Sequence, residues 1–178
     1  SFNKAADLFG LDFPFRSKQS TIWQLHCQSE SADVSAEIDD LIDQYEVVDG
    51  GFSKSQTAEI LSHLWMLKAG YLTGDTSKQR CLEQAENLVK PYLDDLYSVG
   101  AMFFLRTGSY YYENEAHDSA VFYFEKALSL ITNRGQVLTE GLIYLRWAQA
   151  LRRIGDLHKA ENLIQSGLQV FRKNYGEE

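Results

Sequence analysis

The chain has 178 residues, 44% of them apolar and 13% aromatic, so it can bury a substantial core as one domain and is not intrinsically disordered. Its net charge of -8 and pI near 5.0 argue against general nucleic-acid binding, which requires a basic face. No apolar run approaches the roughly 20 residues that cross a bilayer, so we expect no membrane span.

Residues 1–16 form an apolar segment with weak periodicity, and we predict that it packs on a helical domain occupying residues 17–178. This much exposed apolar surface would be unfavourable in water. The alternative is that the segment lies at an interface, through which the chain would form a homo-oligomer. Because the first residue is Ser1 and not methionine, we expect an excised fragment or a processed chain, outside which a targeting signal, a membrane span or an effector domain could lie.

Helical spacing of apolar residues predicts a first helix pair at 20–29 and 34–45, followed by a helix that ends near residue 73. Ser53 or Ser55 is placed to cap this third helix by accepting a backbone N–H bond.

The next helix follows the Gly74-Asp75 turn, with Thr76 or Ser77 as its expected cap. Lys90-Pro91 should end it, because proline lacks the helical N–H donor and disfavours a helical residue before it.

Two further pairs are predicted, at 98–114 with 117–132 and at 138–154 with 156–173. Asn133-Arg134-Gly135 separates the pairs, and Gly155-Asp156 forms the turn inside the last one. No stretch alternates with period 2 for long enough to indicate a strand. The prediction is therefore an all-α fold of about eight helices.

One pattern of bulky and small residues occurs twice, 40 residues apart. The first copy comprises Phe104, Gly108, Tyr111, Ala120, Phe124 and Ala127, and the second comprises Tyr144, Ala148, Leu151, Ala160, Ile164 and Gly167. Small side chains let two antiparallel helices approach closely, so we expect Gly108 to face Ala120 and Ala148 to face Ala160. Such pairs cannot bury their outer faces alone and must stack on their neighbours.

This pattern resembles the tetratricopeptide repeat (TPR), whose signature is bulky–x3–small–x2–aromatic in one helix and small–x3–aromatic–x2–Ala in the next. The resemblance covers residues 101–134 and 141–174, is partial over about 57–92, and nearly disappears before residue 50. It implies a right-handed superhelix of antiparallel helix pairs with an open inner groove. The 40-residue step exceeds the usual 34 and resembles the extended repeats of bacterial regulatory and signalling proteins and of motor-adaptor light chains.

In a TPR stack the first helix of each pair lines the concave groove. The resemblance places eleven residues there: Met102, Leu105, Arg106, Ser109, Tyr112, Leu142, Leu145, Arg146, Gln149, Arg152 and Arg153. Arginines beside leucines suit a peptide or helix with acidic and apolar residues, because a guanidinium can hold a carboxylate with two hydrogen bonds. Leu105 and Ser109 stand where some family members use lysine and asparagine to clamp a C-terminal carboxylate, so that clamp is not supported.

The sequence contains no phosphate loop, dinucleotide fingerprint or nucleophile elbow, and its four histidines are widely separated. Asp39, Asp40 and Asp43 could suggest a metal site, but without a glycine-bearing calcium loop a solvated helix face is the better interpretation. We therefore expect no catalysis, no metal site and no cofactor.

Cys27 and Cys81 form no CxxC pair and have no histidine at metal-ligand spacing. Nothing in the sequence argues for an oxidising compartment, so we expect both thiols to be reduced in a cytoplasmic protein.

Charge is distributed unevenly along the chain. Nine acidic residues and a single lysine lie between Glu30 and Glu59, whereas basic residues predominate from Gly141 to Tyr175. The fold would then carry an acidic and a basic end, although a role in solubility alone is the competing interpretation.

These observations favour a protein-interaction module that binds a peptide or helix in a concave groove. The alternative is a ligand- or peptide-sensing regulatory domain of a larger signalling protein or transcription regulator.

Overall fold

The computed structural model describes residues 35–47, 53–72 and 74–176, and every regular element in these ranges is helical. The α-helices there are α1 (Ser35–Val47), α2 (Lys54–Tyr71), α3 (Asp75–Val89), α4 (Tyr97–Glu113), α5 (His117–Ile131), α6 (Val137–Ile154) and α7 (Leu157–Tyr175), and a 3-10 helix (Lys90–Tyr92) follows α3. The all-α prediction is confirmed. The segment 1–16, the predicted helix at 20–29 and Cys27 lie outside the described residues.

The chain divides into two compact units, the first ending at Leu96 and the second beginning at Tyr97. In the first unit, α2 packs against α1 and α3. In the second, α4 pairs with α5 and α6 pairs with α7, while α6 also packs on α5 and α4. Within each unit, helices that follow one another in the chain contact each other, an arrangement that is compatible with stacked helix hairpins.

The core of the first unit follows from the spacing of apolar residues in α1. Ile38, Ile42 and Tyr45 recur at intervals of four and three and are buried together with residues of α2. Burial raises the pKa of Tyr45 to about 12. An ion pair also joins these two helices, because the Asp39 carboxylate of α1 lies 2.6 Å from the Lys68 ammonium of α2.

The start of α2 confirms one predicted cap. The Ser53 hydroxyl accepts from the Gln56 backbone N–H at 3.2 Å, and the Gln56 side chain accepts from the Ser53 N–H at 3.0 Å. This reciprocal pair satisfies two N–H groups that the helix cannot satisfy itself.

The cap predicted for α3 at Thr76 or Ser77 is wrong. The helix begins at Asp75, and Gly74 occupies the capping position without a side-chain bond. Thr76 and Ser77 lie inside the first turn, where the Ser77 N–H already bonds to the Gly74 carbonyl at 3.1 Å. The carboxylate of Asp75 in this turn instead interacts favourably with the helix dipole.

The turns of the second unit lie where the sequence predicts them. Gly155 adopts a φ of 93° between α6 and α7, a left-handed conformation that glycine accommodates best. Asp156 then caps α7, because its Oδ1 accepts from the Lys159 N–H at 3.2 Å. The chain leaves α5 through Asn133 and Gly135, both with positive φ.

Small residues allow close packing within each pair of the second unit. Ala148 and Ala160 belong to one buried cluster, as expected. The atoms nearest to Gly108 belong to the ring of Phe124, one helical turn beyond Ala120, which is itself completely buried. In the last pair, Gly167 lies against the Cβ of Tyr144.

Candidate functional site

The residues predicted to line the groove lie on two helices that pack against each other, α4 and α6. A hydrogen bond connects the predicted residues of α6 with those of α4. The Nε of Arg153 in α6 donates to the phenolic oxygen of Tyr112 in α4 at 3.4 Å, across 41 positions of sequence. This bond raises the pKa of the Arg153 guanidinium. The Tyr112 ring also lies 5.3 Å from the ring of His117.

The helical stripe of α6 that leads to Arg153 also carries Arg146 and Gln149, whose side chains bond to each other at 3.4 Å. We call the surface formed by this stripe and the facing residues of α4 the α4–α6 wall. It comprises Met102, Arg106, Ser109, Tyr112, Arg146, Gln149 and Arg153.

The α4 half of the predicted site is largely closed. Met102, Arg106, Ser109 and Tyr112 are half-buried. Burial lowers the pKa of the Arg106 guanidinium. Leu105 is only 4% exposed, so it belongs to the interior and is a correction to the predicted groove. The prediction for Leu105 failed because the position of a residue in the helical repeat shows only which face of the helix it occupies. It does not show whether a neighbouring helix covers that face.

The α6 half is open. Arg146, Arg152 and Arg153 are exposed. In the ranges that the structure describes, the ion pairs join Lys68 to Asp39 and Lys159 to Asp156, so no carboxylate there pairs with these three arginines.

Leu142 and Leu145 belong to a different feature, an apolar groove between α6 and α7 with a volume of about 330 Å³. We call it the α6–α7 groove. Its lining residues are Leu138, Gly141, Leu142, Tyr144, Leu145, Ile164, Gly167, Leu168 and Phe171. The helices approach closely on its floor, because a Cβ at Gly141 would overlap the Phe171 ring.

The α7 side of this groove was missed from the sequence. Ile164, Leu168 and Phe171 repeat at intervals of four and three, which is typical of a buried helix face. In the structure Ile164 is 41% and Leu168 44% exposed, while the buried residues of α7 are Ala160 and Gly167. The sequence feature that could have indicated this side of the groove is the excess of apolar residues in α7 over those that its buried face requires.

The other candidate chemistry lies in the first unit. Asp39, Asp40 and Asp43 are exposed on α1, and no cluster of three or more potential metal ligands occurs in the described ranges. The thiol of Cys81 is free and buried, and its pKa is raised mainly by that burial.

Comparison with known proteins adds no relative: no protein-family model, curated protein or solved structure matches the chain. Within the described part of the chain, every helix is too short or too polar to cross a lipid bilayer.

Proposed function

We propose that this chain is a TPR-like protein-interaction module of the cytoplasm that binds a peptide or helix carrying acidic and apolar residues along the α4–α6 wall. The observation that carries the proposal is the pair of exposed guanidinium groups on α6, at Arg146 and Arg153, without carboxylate partners in the described residues. Arg153 bonds to the half-buried Tyr112 of α4, and Met102 of the same helix is also half-buried.

Such a wall can recognise both parts of the proposed ligand. An arginine donates up to two parallel hydrogen bonds to a carboxylate, which gives orientation as well as affinity. The bond from Arg153 to Tyr112 restricts the arginine side chain before a partner arrives. Less conformational entropy is then lost on binding.

The arrangement of hairpins in the second unit supports the TPR-like assignment. α4 with α5 and α6 with α7 form successive pairs, and α6 packs back on both helices of the preceding pair. The small positions Gly108 and Gly167 permit close helix approach, as the TPR signature implies.

Charge reversal on the wall tests the proposal. We would measure the fluorescence anisotropy of two labelled peptides, one alternating leucine with glutamate and the other alternating leucine with lysine. We expect the native chain to prefer the glutamate peptide. The double variant Arg146→Glu with Arg153→Glu should bind it about tenfold more weakly, because charge-assisted hydrogen bonds are lost.

The control is Lys54→Glu with Lys90→Glu, which changes the net charge equally at two exposed positions outside the wall. It should retain the affinity of the native chain, and both double variants should keep the native helical circular dichroism. Equal weakening by the two pairs would indicate only a general charge effect, and an unchanged affinity of the wall variant would contradict the assignment.

A further inference from the structure

We propose that the α6–α7 groove is a second, separate docking surface, which receives an amphipathic helix of a partner protein with an apolar stripe and acidic flanks. Two apolar rows face the opening, one on each helix. On α6, Leu138 is 69%, Leu142 40% and Leu145 49% exposed. The row on α7 consists of Ile164, Leu168 and Phe171. Exposed apolar rows on neighbouring helices are typical of a surface that another element covers.

In the preceding helix pair, the equivalent residues are buried. The 40-residue offset makes Leu145 equivalent to Leu105, and Ile164 equivalent to Phe124. Leu105 is 4% and Phe124 0% exposed, whereas Leu145 is 49% and Ile164 41% exposed. In the preceding pair, α6 packs on both α4 and α5. A helix of this chain therefore packs on the α4–α5 pair, whereas the equivalent residues of the α6–α7 pair are open.

The charged residues near the groove indicate which kind of helix would bind there. On α6, Arg152 continues the stripe of Leu138, Leu142 and Leu145 at helical spacing and is exposed. On α7, Arg172 follows Leu168 by one turn. Glu161 is the one carboxylate on the apolar stripe of α7 in the described residues. A helix with glutamates or aspartates beside its apolar stripe would complement this basic rim.

The same charges disfavour two other occupants. A second copy docked face to face would bring the basic rims of both copies together, and like charges across an interface are unfavourable. The apolar segment 1–16 of this chain contains two acidic and two basic residues, so it does not complement a basic rim.

A designed helix provides the test. The probe is a fluorescein-labelled peptide of 18 residues, the length of α6, with leucines at i, i+3, i+4 and i+7 and glutamates on the flanks. Its twin carries lysines in place of the glutamates. We expect the full chain to bind the glutamate helix about tenfold or more tightly than the lysine helix.

Two single variants, Leu145→Glu and Ile164→Glu, should each weaken binding of the glutamate helix by about tenfold or more, because each places a carboxylate in the apolar contact. Both residues are partly exposed, so the variants should keep the melting temperature of the native chain. The matched control is Phe122→Glu, at an apolar position of α5 that is 52% exposed and outside the groove. It should leave the affinity unchanged.

Several outcomes would overturn the proposal. One is equal binding of both helices, and another is an affinity that Leu145→Glu and Ile164→Glu leave unchanged. A dimer in sedimentation velocity that Leu145→Glu dissociates would assign the groove to a second copy. Tighter binding by the full chain carrying Phe9→Asp with Phe13→Asp would assign the groove to residues 1–16.

The groove and the wall can fail independently. Loss of binding in Arg146→Glu with Arg153→Glu concerns the α4–α6 wall, and loss in Leu145→Glu or Ile164→Glu concerns the groove.

Discussion

Gly108 of α4 lies directly against the aromatic ring of Phe124 in α5, and a Cβ at position 108 would come within 2.6 Å of a ring carbon. Phe124 is completely buried, so its ring has little room to move aside. The absence of a side chain at one residue thus sets how closely α4 and α5 can pack.

The variant Gly108→Ala should therefore be less stable than the native chain. Overpacking costs about 1–3 kcal/mol, and the better helix propensity of alanine returns about 0.5–1 kcal/mol. We expect a net decrease of about 1–2 kcal/mol in the free energy of unfolding, measured by urea denaturation with circular dichroism.

Gly70→Ala is the matched control, because Gly70 lies in α2 and an alanine Cβ there would have no atom within 4 Å apart from its chain neighbours and the backbone of its own helix. This variant should gain up to about 1 kcal/mol from helix propensity alone. A Gly108→Ala protein as stable as Gly70→Ala would contradict the close packing at Phe124.

Gly155→Ala should also lower stability, for a different reason. The residue has a φ of 93°, and no atom lies within 4 Å of a Cβ built there, so the cost is conformational and not steric. We expect a loss of about 1 kcal/mol. If Gly155→Asn recovers part of that loss in the same denaturation assay, the left-handed conformation is the cause.

Ser53→Ala should destabilise the first unit by about 1 kcal/mol, because it removes the hydroxyl that accepts from the Gln56 N–H. Thr76→Ala should leave stability unchanged or slightly raise it, since Thr76 lies inside α3 and does not cap it. Thermal melts of the two variants compare the observed cap with the one that the sequence wrongly predicts.

Glu140 gives a prediction about pH. Its side chain is buried at the start of α6, and this burial raises the pKa of the carboxyl group despite the opposing charge of Lys173. When the pKa of a group is higher in the folded than in the unfolded state, its contribution to stability is fully present below the unfolded-state pKa. That contribution is lost as pH rises through the folded-state pKa.

Glu140→Gln should consequently be more stable than the native chain at pH 7, and the difference should shrink as pH falls through the raised folded-state pKa and disappear below 4.5, the ordinary value. Urea midpoints at several pH values between 4 and 8, on the order of one unit apart, would measure it. A difference that does not change with pH would show that the carboxyl group titrates normally.

Much of the fold could be predicted locally. The ends of α4, α5 and α6 follow the predicted ones within about one residue, because glycine turns and apolar spacing act over a few positions. The cap of α3 could not be predicted in the same way. Several polar residues follow Gly74, and any of them could cap the helix. Which residue occupies the capping position depends on where the first helical backbone hydrogen bond forms.

Only part of the arrangement of the candidate site could be predicted from the sequence. Tyr112 and Arg153, both predicted to line the groove, lie on α4 and α6 and form a hydrogen bond. The helical register could not show that Leu105 is covered while its counterpart Leu145 is open, since the two occupy the same position of the repeat. For the same reason the α7 side of the groove was overlooked.

Residue order alone was enough to establish the helical class, most turns and the small positions at which helices touch, because these depend on backbone conformation and residue size over one or two turns. Which apolar faces are covered followed only from the packing of the helices, since burial depends on which helix lies on which. Two chemically identical side chains, Leu105 and Leu145, thereby become an interior residue and a surface residue.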